Sequence, residues 1–233
     1  LVTGRGDVVK SGGRVMKNVT GLDLVKLNCG AWGTLGVLSE VIFKVLPKPA
    51  RSLSVGLGGM NDTTAIAALT AALGSSFAVS AAAHIPASIG SDSTTIVRLE
   101  GSDGSVAYGA RELAKLWRSF GRAELIEGDE SANLWLRVRD AHWLAQPMDR
   151  SIWRLSLAPS KAPHVLADIR QKLGVRYFFD WGGGLVWLAV VDADDAGASV
   201  VREAMANNGG HATLVRASSE MRHRIDVFEL LPP

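Results

Sequence analysis

Residues Gly12–Pro47 read GGRVMKNVTGLDLVKLNCGAWGTLGVLSEVIFKVLP, and the rest of the chain is best read outward from them. Glycines stand at Gly12, Gly13, Gly21, Gly30, Gly33 and Gly36. In a helix or strand interior each would cost roughly 0.5–1 kcal/mol relative to alanine. Such crowding predicts a backbone that turns sharply, or one that approaches a flat or anionic group and aims its N–H groups at it. Between the glycines, Asp23–Gly30 has room for a short helical turn, with Leu24 and Leu27 at i, i+3 and Gly30 suited to its end. After the last glycine, Val37, Val41, Phe43 and Val45 alternate imperfectly with Ser39, Glu40 and Lys44, a pattern that predicts a well-buried strand over Val37–Leu46. A glycine-rich loop feeding a strand differs from both common nucleotide fingerprints, which open a helix. Two readings stay open on spacing alone: a ligand-cradling loop, and tight turns in an antiparallel sheet.

The motifs narrow this. Asn18–Leu24 (NVTGLDL) followed by Gly30–Val37 (GAWGTLGV) resembles the second half of the FAD-binding domain of the vanillyl-alcohol-oxidase, or PCMH-type FAD-linked oxidase, family. Gly12–Asn18 (GGRVMKN), Tyr177–Leu185 (YFFDWGGGL) and Gly209–Leu214 (GGHATL) are similar, more narrowly, to the FAD-binding subunits of bacterial glycolate oxidases. Leu22 stands where that family has tyrosine, and Trp32 where it has an acidic residue; the glycines and Thr34 are intact. The resemblance implies FAD as cofactor, held mostly through the backbone by Lys17, Asn18, Gly21, Asp23, Gly33, Thr34, Leu35, Gly36 and Val37. It implies oxidation of a 2-hydroxy acid, glycolate to glyoxylate, with electrons passing through FAD to a second flavin subunit and an iron–sulfur subunit. It assigns no catalytic base. Two other readings are a non-catalytic assembly or electron-relay subunit, and a related oxidoreductase acting on another hydroxy acid. By the resemblance, the first half of the FAD domain should precede Leu1, so this chain alone is expected to be inactive.

Composition excludes several classes. The 233 residues allow one large domain or two modest ones. A net charge of +2 is too small to point to nucleic acid or a charged membrane surface. No run approaches the ~20 apolar residues needed to span a bilayer. One cysteine, Cys29, excludes an internal disulfide and fits a reducing cytoplasm. The expected location is cytoplasmic, or peripheral at the inner membrane through partner subunits.

Along the chain, Leu1–Lys10 reads as two short strands around a Gly-Arg-Gly-Asp turn. Pro47-Lys48-Pro49 reads as an extended connector and marks a domain boundary near residue 50. Beyond it strands are expected at Arg51–Gly58, Phe77–Ala83, Thr95–Glu100 and Ala123–Ile126. Helices are expected from Asn61 or Asp62 to Gly74 and from about Ser105 to Phe120. A helical insert spans roughly 130–144. The order then repeats: strand Ile152–Leu157, helix Lys161–Leu173, a hairpin of Arg176–Trp181 and Leu185–Val191 around Gly182-Gly183-Gly184, helix Asp194–Asn207 and strand His211–Arg216. Two βαββαβ units predict an α+β fold with one antiparallel sheet and helices on one face. The resulting division is 1–50, the C-terminal part of a PCMH-type FAD-binding domain; 51–217, a cap domain of two ferredoxin-like repeats; and 218–233, a tail with little pattern.

No histidine pair has metal-ligand spacing, and no H-E-x-x-H occurs, so no metal is expected. His142 and His164 read as surface residues. His211, after Gly209-Gly210, and Asp180-Trp181, before the glycine triplet, are the side-chain candidates; a strand cap and a turn-stabilising aspartate are their plainer readings. Trp135, Trp143, Trp153, Trp181 and Trp187 read as core or interface fillers. Arg139-Asp140 reads as a solvated pair, and Cys29 as a packed residue.

Overall fold

The computed structural model describes residues 1–13 and 22–229. The chain divides into two compact units, Leu1–Lys48 and Pro49–Pro233.

The larger unit is one antiparallel sheet of eight strands. Its first half runs β1 (Arg51–Gly58), α2 (Asp62–Leu73), β2 (Val79–Ile85), β3 (Thr94–Gly101), α3 (Asp103–Leu116) and β4 (Glu124–Ile126); α1 (Leu24–Asn28) belongs to the smaller unit. The second half runs β5 (Ser151–Ser156), α6 (Ala162–Lys172), β6 (Val175–Asp180), β7 (Leu185–Val190), α7 (Ala198–Asn208) and β8 (His211–Arg216). Strand order across the sheet is β4-β1-β3-β2-β6-β7-β5-β8. Each half therefore has the same internal order, and the halves meet at β2 and β6 through the pair His84↔Phe179.

Local chemistry sets the helices. Asn61 caps α2 by accepting from the Thr64 N–H at 2.9 Å, and Ser102 caps α3 by accepting from the Ser105 N–H at 3.4 Å. On one sheet face Leu53, Val55, Leu57, Val97 and Leu99 join Trp153, Leu155, Phe179, Val186 and Leu188 in a continuous core under α2, α3, α6 and α7. The triplet Gly182–Gly184 forms the expected hairpin turn. A Cβ on Gly182 would overlap the Leu73 side chain, and one on Gly183 would lie 2.7 Å from Ile66 Cδ1. The turn of the second half can thus tuck against α2 of the first only because these residues lack side chains.

The expectation of helices on one face alone is corrected. The insert forms α4 (Gly128–Arg139) and α5 (His142–Ala145) and covers part of the opposite face. There Trp135, Val138 and Leu144 pack with Ala83, Ile85, Ile96, Ile152, Phe178 and Ala189 as a second core. The single helix expected over 130–144 breaks at Ala141, whose φ of 46° is left-handed. The strand expected at Phe77–Ala83 begins two residues later at Val79, because Ser75 and Phe77 still belong to the turn: the Ser75 hydroxyl donates to Ala72 O and accepts from the Phe77 N–H. The helix expected from Asp194 begins at Ala198, because the Asp195 carboxylate accepts from Gly197 and Ser199 N–H groups, each at 2.9 Å. The tail also has structure. α8 (Ser219–Arg224) is capped by Ser218, and the chain then returns beside β8, where Leu214 N–H donates to Val227 O at 3.0 Å.

In the smaller unit, Val2 pairs with Val8 and with Val37. α1 (Leu24–Asn28) is the expected short helix, capped by Asp23. The well-buried strand expected over Val37–Leu46 is not found: Val37 alone pairs, and Val41, Phe43 and Val45 are exposed. Alternation gives a strand only where a neighbour supplies ladder hydrogen bonds and a surface to cover, and no neighbour beyond Val2 occurs among the described residues.

Candidate functional site

In the smaller unit the segment Asp23–Val37 holds a set of sharp turns. Asp23 Oδ1 accepts from the Lys26 N–H at 3.1 Å, and its carboxyl lies below the ordinary value because the Lys26 N–H and ammonium favour the charged form. The turn that follows α1 is left-handed at Gly30, Trp32 and Gly33, with φ of 78°, 53° and 74°. Thr34 closes it, its N–H and hydroxyl both donating to Ala31 O, at 3.0 and 2.6 Å. Gly36 is sterically fixed: a Cβ there would meet Val2 O at 2.5 Å and Leu1 Cδ1 at 2.9 Å. A Cβ on Gly30 or Gly33 would meet nothing within 4 Å. Gly33, Thr34, Leu35, Gly36 and Val37 therefore form one contiguous ribbon with an open side at Gly33. At Gly33 no side chain stands between the peptide plane and an approaching group. Lys17, Asn18 and Gly21 lie outside the described residues. Cys29 does not pack as expected but is exposed, because it follows a helix that buries no residue.

The larger unit gathers the two side-chain candidates on one sheet face. The register sets Asp180, Leu185, Ser156 and His211 in one row across β6, β7, β5 and β8. Phe178, Trp187, Arg154 and Thr213 form the next row. This face is opposite α2, α3, α6 and α7, which cover Trp153, Leu155, Tyr177 and Phe179. Trp181 departs from its expected role as filler. It is 59% exposed and left-handed, with φ of 51°. Its N–H donates to Asp180 Oδ1 at 2.8 Å, and the Arg154 guanidinium lies 5.1 Å from its ring centroid. Burial pushes the Asp180 carboxyl above its ordinary value, and the Trp181 N–H offsets this in part. Sequence reasoning missed Arg154. The signal was present in SIWRLS, where the buried Trp153 and Leu155 put Arg154 on the other face.

A third cluster, also missed, lies where the two halves meet. His84 and Thr95 are fully buried, with His84 Nδ1 and Thr95 Oγ1 2.9 Å apart. His84 Nε2 lies 3.3 Å from Asp62 Oδ1, off the hydrogen-bond direction. The Tyr177 hydroxyl donates to Asp62 Oδ2 at 2.5 Å and accepts from Arg170 at 2.9 Å. Burial pushes the Asp62 carboxyl up, but His84, Tyr177 and Arg170 together hold it below its ordinary value. The Tyr177 hydroxyl is pushed well up by burial and by Asp62. His142 and His164 are exposed as expected, and Arg139-Asp140 is an exposed pair at 2.8 Å. Among the described residues no cluster of His, Cys, Asp or Glu could hold a metal ion, and no helix is long and apolar enough to cross a membrane.

No family model matches the chain. It is 45% identical over 49 residues, 21% of its length and 10% of the relative's, to the glycolate oxidase subunit GlcD of Bacillus subtilis. Another relative is the D-lactate dehydrogenase of Anaerostipes hadrus, 38% identical over 55 residues, 24% of this chain and 12% of that one. A much longer match, 34% identical over 214 residues, is to the glycolate oxidase subunit GlcE of Escherichia coli. It covers 91% of this chain and 52% of GlcE, so the chain spans about half the length of that relative. The chain is thus a relative of the glycolate oxidase subunit GlcE along nearly all of its own length.

Proposed function

We propose that this chain is part of the FAD-binding subunit of a glycolate oxidase-like complex. The observation that carries the reading is the 34% identity to GlcE over 91% of the chain. In this reading 1–50 is the C-terminal part of a PCMH-type FAD-binding domain, 51–217 a cap of two ferredoxin-like repeats and 218–233 a tail. Lys17, Asn18, Gly21, Asp23, Gly33, Thr34, Leu35, Gly36 and Val37 hold FAD, mainly through peptide groups. A bound FAD would supply the two-electron acceptor for oxidation of a 2-hydroxy acid to a 2-oxo acid, the electrons then going on to a second flavin subunit and an iron–sulfur subunit. The chain's own contribution is shape. Gly33 leaves the peptide plane open to the ligand, Gly36 lets Val37 pair with Val2, and Thr34 locks the turn between them. The location is the cytoplasm, or the membrane periphery through partner subunits.

The test is flavin content and glycolate-dependent dye reduction of the full-length subunit, alone and with its partners. Bound flavin with activity supports the reading. Bound flavin without activity in the assembled complex favours the relay role. A full-length subunit that carries no flavin in either state contradicts it.

A further inference from the structure

The sheet face opposite α2, α3, α6 and α7 carries an arrangement that the flavin-binding ribbon does not explain. Arg154 is half-buried, and among the described residues no carboxylate lies within ion-pair distance of it. The Trp181 ring lies against its guanidinium. That ring is held in the open by a left-handed backbone, a conformation that costs on the order of 1–3 kcal/mol in a residue other than glycine and concentrates where a ligand is clamped. A second guanidinium on the same face, Arg176, has a buried Nε with no hydrogen-bond partner. The one carboxyl in these rows, Asp180, accepts from the Trp181 N–H with one oxygen, and among the described residues no group pairs with the other.

We propose that Arg154 and Trp181 form a binding site for a small monocarboxylate, with Asp180 and His211 at its rim. The guanidinium offers a planar pair of donors that matches a carboxylate. The indole on one side and the buried Leu185 below limit competing water, which strengthens the pair. Asp180 on the same rim disfavours a dianion such as phosphate, and its free oxygen can meet a hydroxyl beside the bound carboxylate. Burial, which keeps that carboxyl less readily ionised, reduces its repulsion of a monoanion.

The probe is glycolate, chosen from the functional reading above; the site itself stands without flavin. The 233-residue chain is titrated at constant ionic strength, and the indole N–H resonance of Trp181, identified by its loss in Trp181→Phe, is followed. The expected result is a saturable shift. Arg154→Gln should weaken it by at least about tenfold, the usual effect of losing a charged hydrogen bond. Arg154→Lys should fall between, because an ammonium lacks the paired donors. Inorganic phosphate should not saturate over the same range. No saturable shift, an unchanged affinity in Arg154→Gln, or equal saturation by phosphate overturns the proposal. If Arg154→Gln does not fold, the comparison of Arg154→Lys with the wild type decides, and equal affinity there overturns it. Flavin content is measured separately, so a chain without flavin that still binds glycolate separates the two claims.

Discussion

Gly36 shows how one residue constrains a site. Its φ is 154°, and any side chain would strike Val2 O. We expect Gly36→Val to break the Val2–Val37 pair and to remove flavin from the full-length subunit, while circular dichroism of the larger unit stays unchanged. Asp62 makes a prediction about pH. Its pKa is lowered in the folded state, so it contributes stability that is present above the unfolded value and lost as pH falls through the folded one. Asp62→Asn should therefore lower the melting temperature at pH 7 and flatten its dependence on pH in the acid range. Asp180 has the opposite sign. Its pKa is raised, so the buried carboxyl disfavours the fold once pH rises above its unfolded value. Asp180→Asn keeps an acceptor for the Trp181 N–H and should hold or raise the melting temperature at pH 7. A large fall would contradict the burial argument.

At the level of elements, the second core is the sharpest case. Trp135 is nearly buried, and its Nε1 donates to Ser54 Oγ at 2.7 Å while Ser54 lies 2.7 Å from Ser131 Oγ. Trp135→Ala leaves a cavity and removes one of the two hydrogen bonds of the buried Ser54 hydroxyl, so chemical denaturation should show a loss of about 3–5 kcal/mol. The strands and helices of both halves were legible in sequence, because alternation such as Leu53/Val55/Leu57 and caps such as Asn61 are local signals. The side of the sheet taken by the insert was not legible: Trp135, Val138 and Leu144 give a helical stripe but not the surface it covers. Val37–Leu46 failed for the converse reason, since alternation cannot supply the neighbouring strand. Of the candidate site, Asp180, Trp181 and His211 were legible from their glycine neighbours. Arg154 and His84 acquire meaning only through cross-strand register.

On the scale of the whole molecule, the two units differ in how they are held. The larger has two cores across a continuous sheet; the smaller buries little, and its apolar Val41, Phe43, Val45 and Leu46 are exposed. A chain beginning at Pro49 should therefore keep the cooperative melt of the larger unit, within a few degrees of the 233-residue chain. The likeness to GlcE runs over most of this chain, and in the proposed reading the sequence segment 17–37 carries the cofactor. The most direct measurement is the visible absorption spectrum of the purified full-length subunit beside that of its Gly36→Val variant. The account predicts flavin bands near one equivalent in the first and their loss in the second. A full-length subunit that is folded and colourless, or a variant that keeps its flavin, would contradict it.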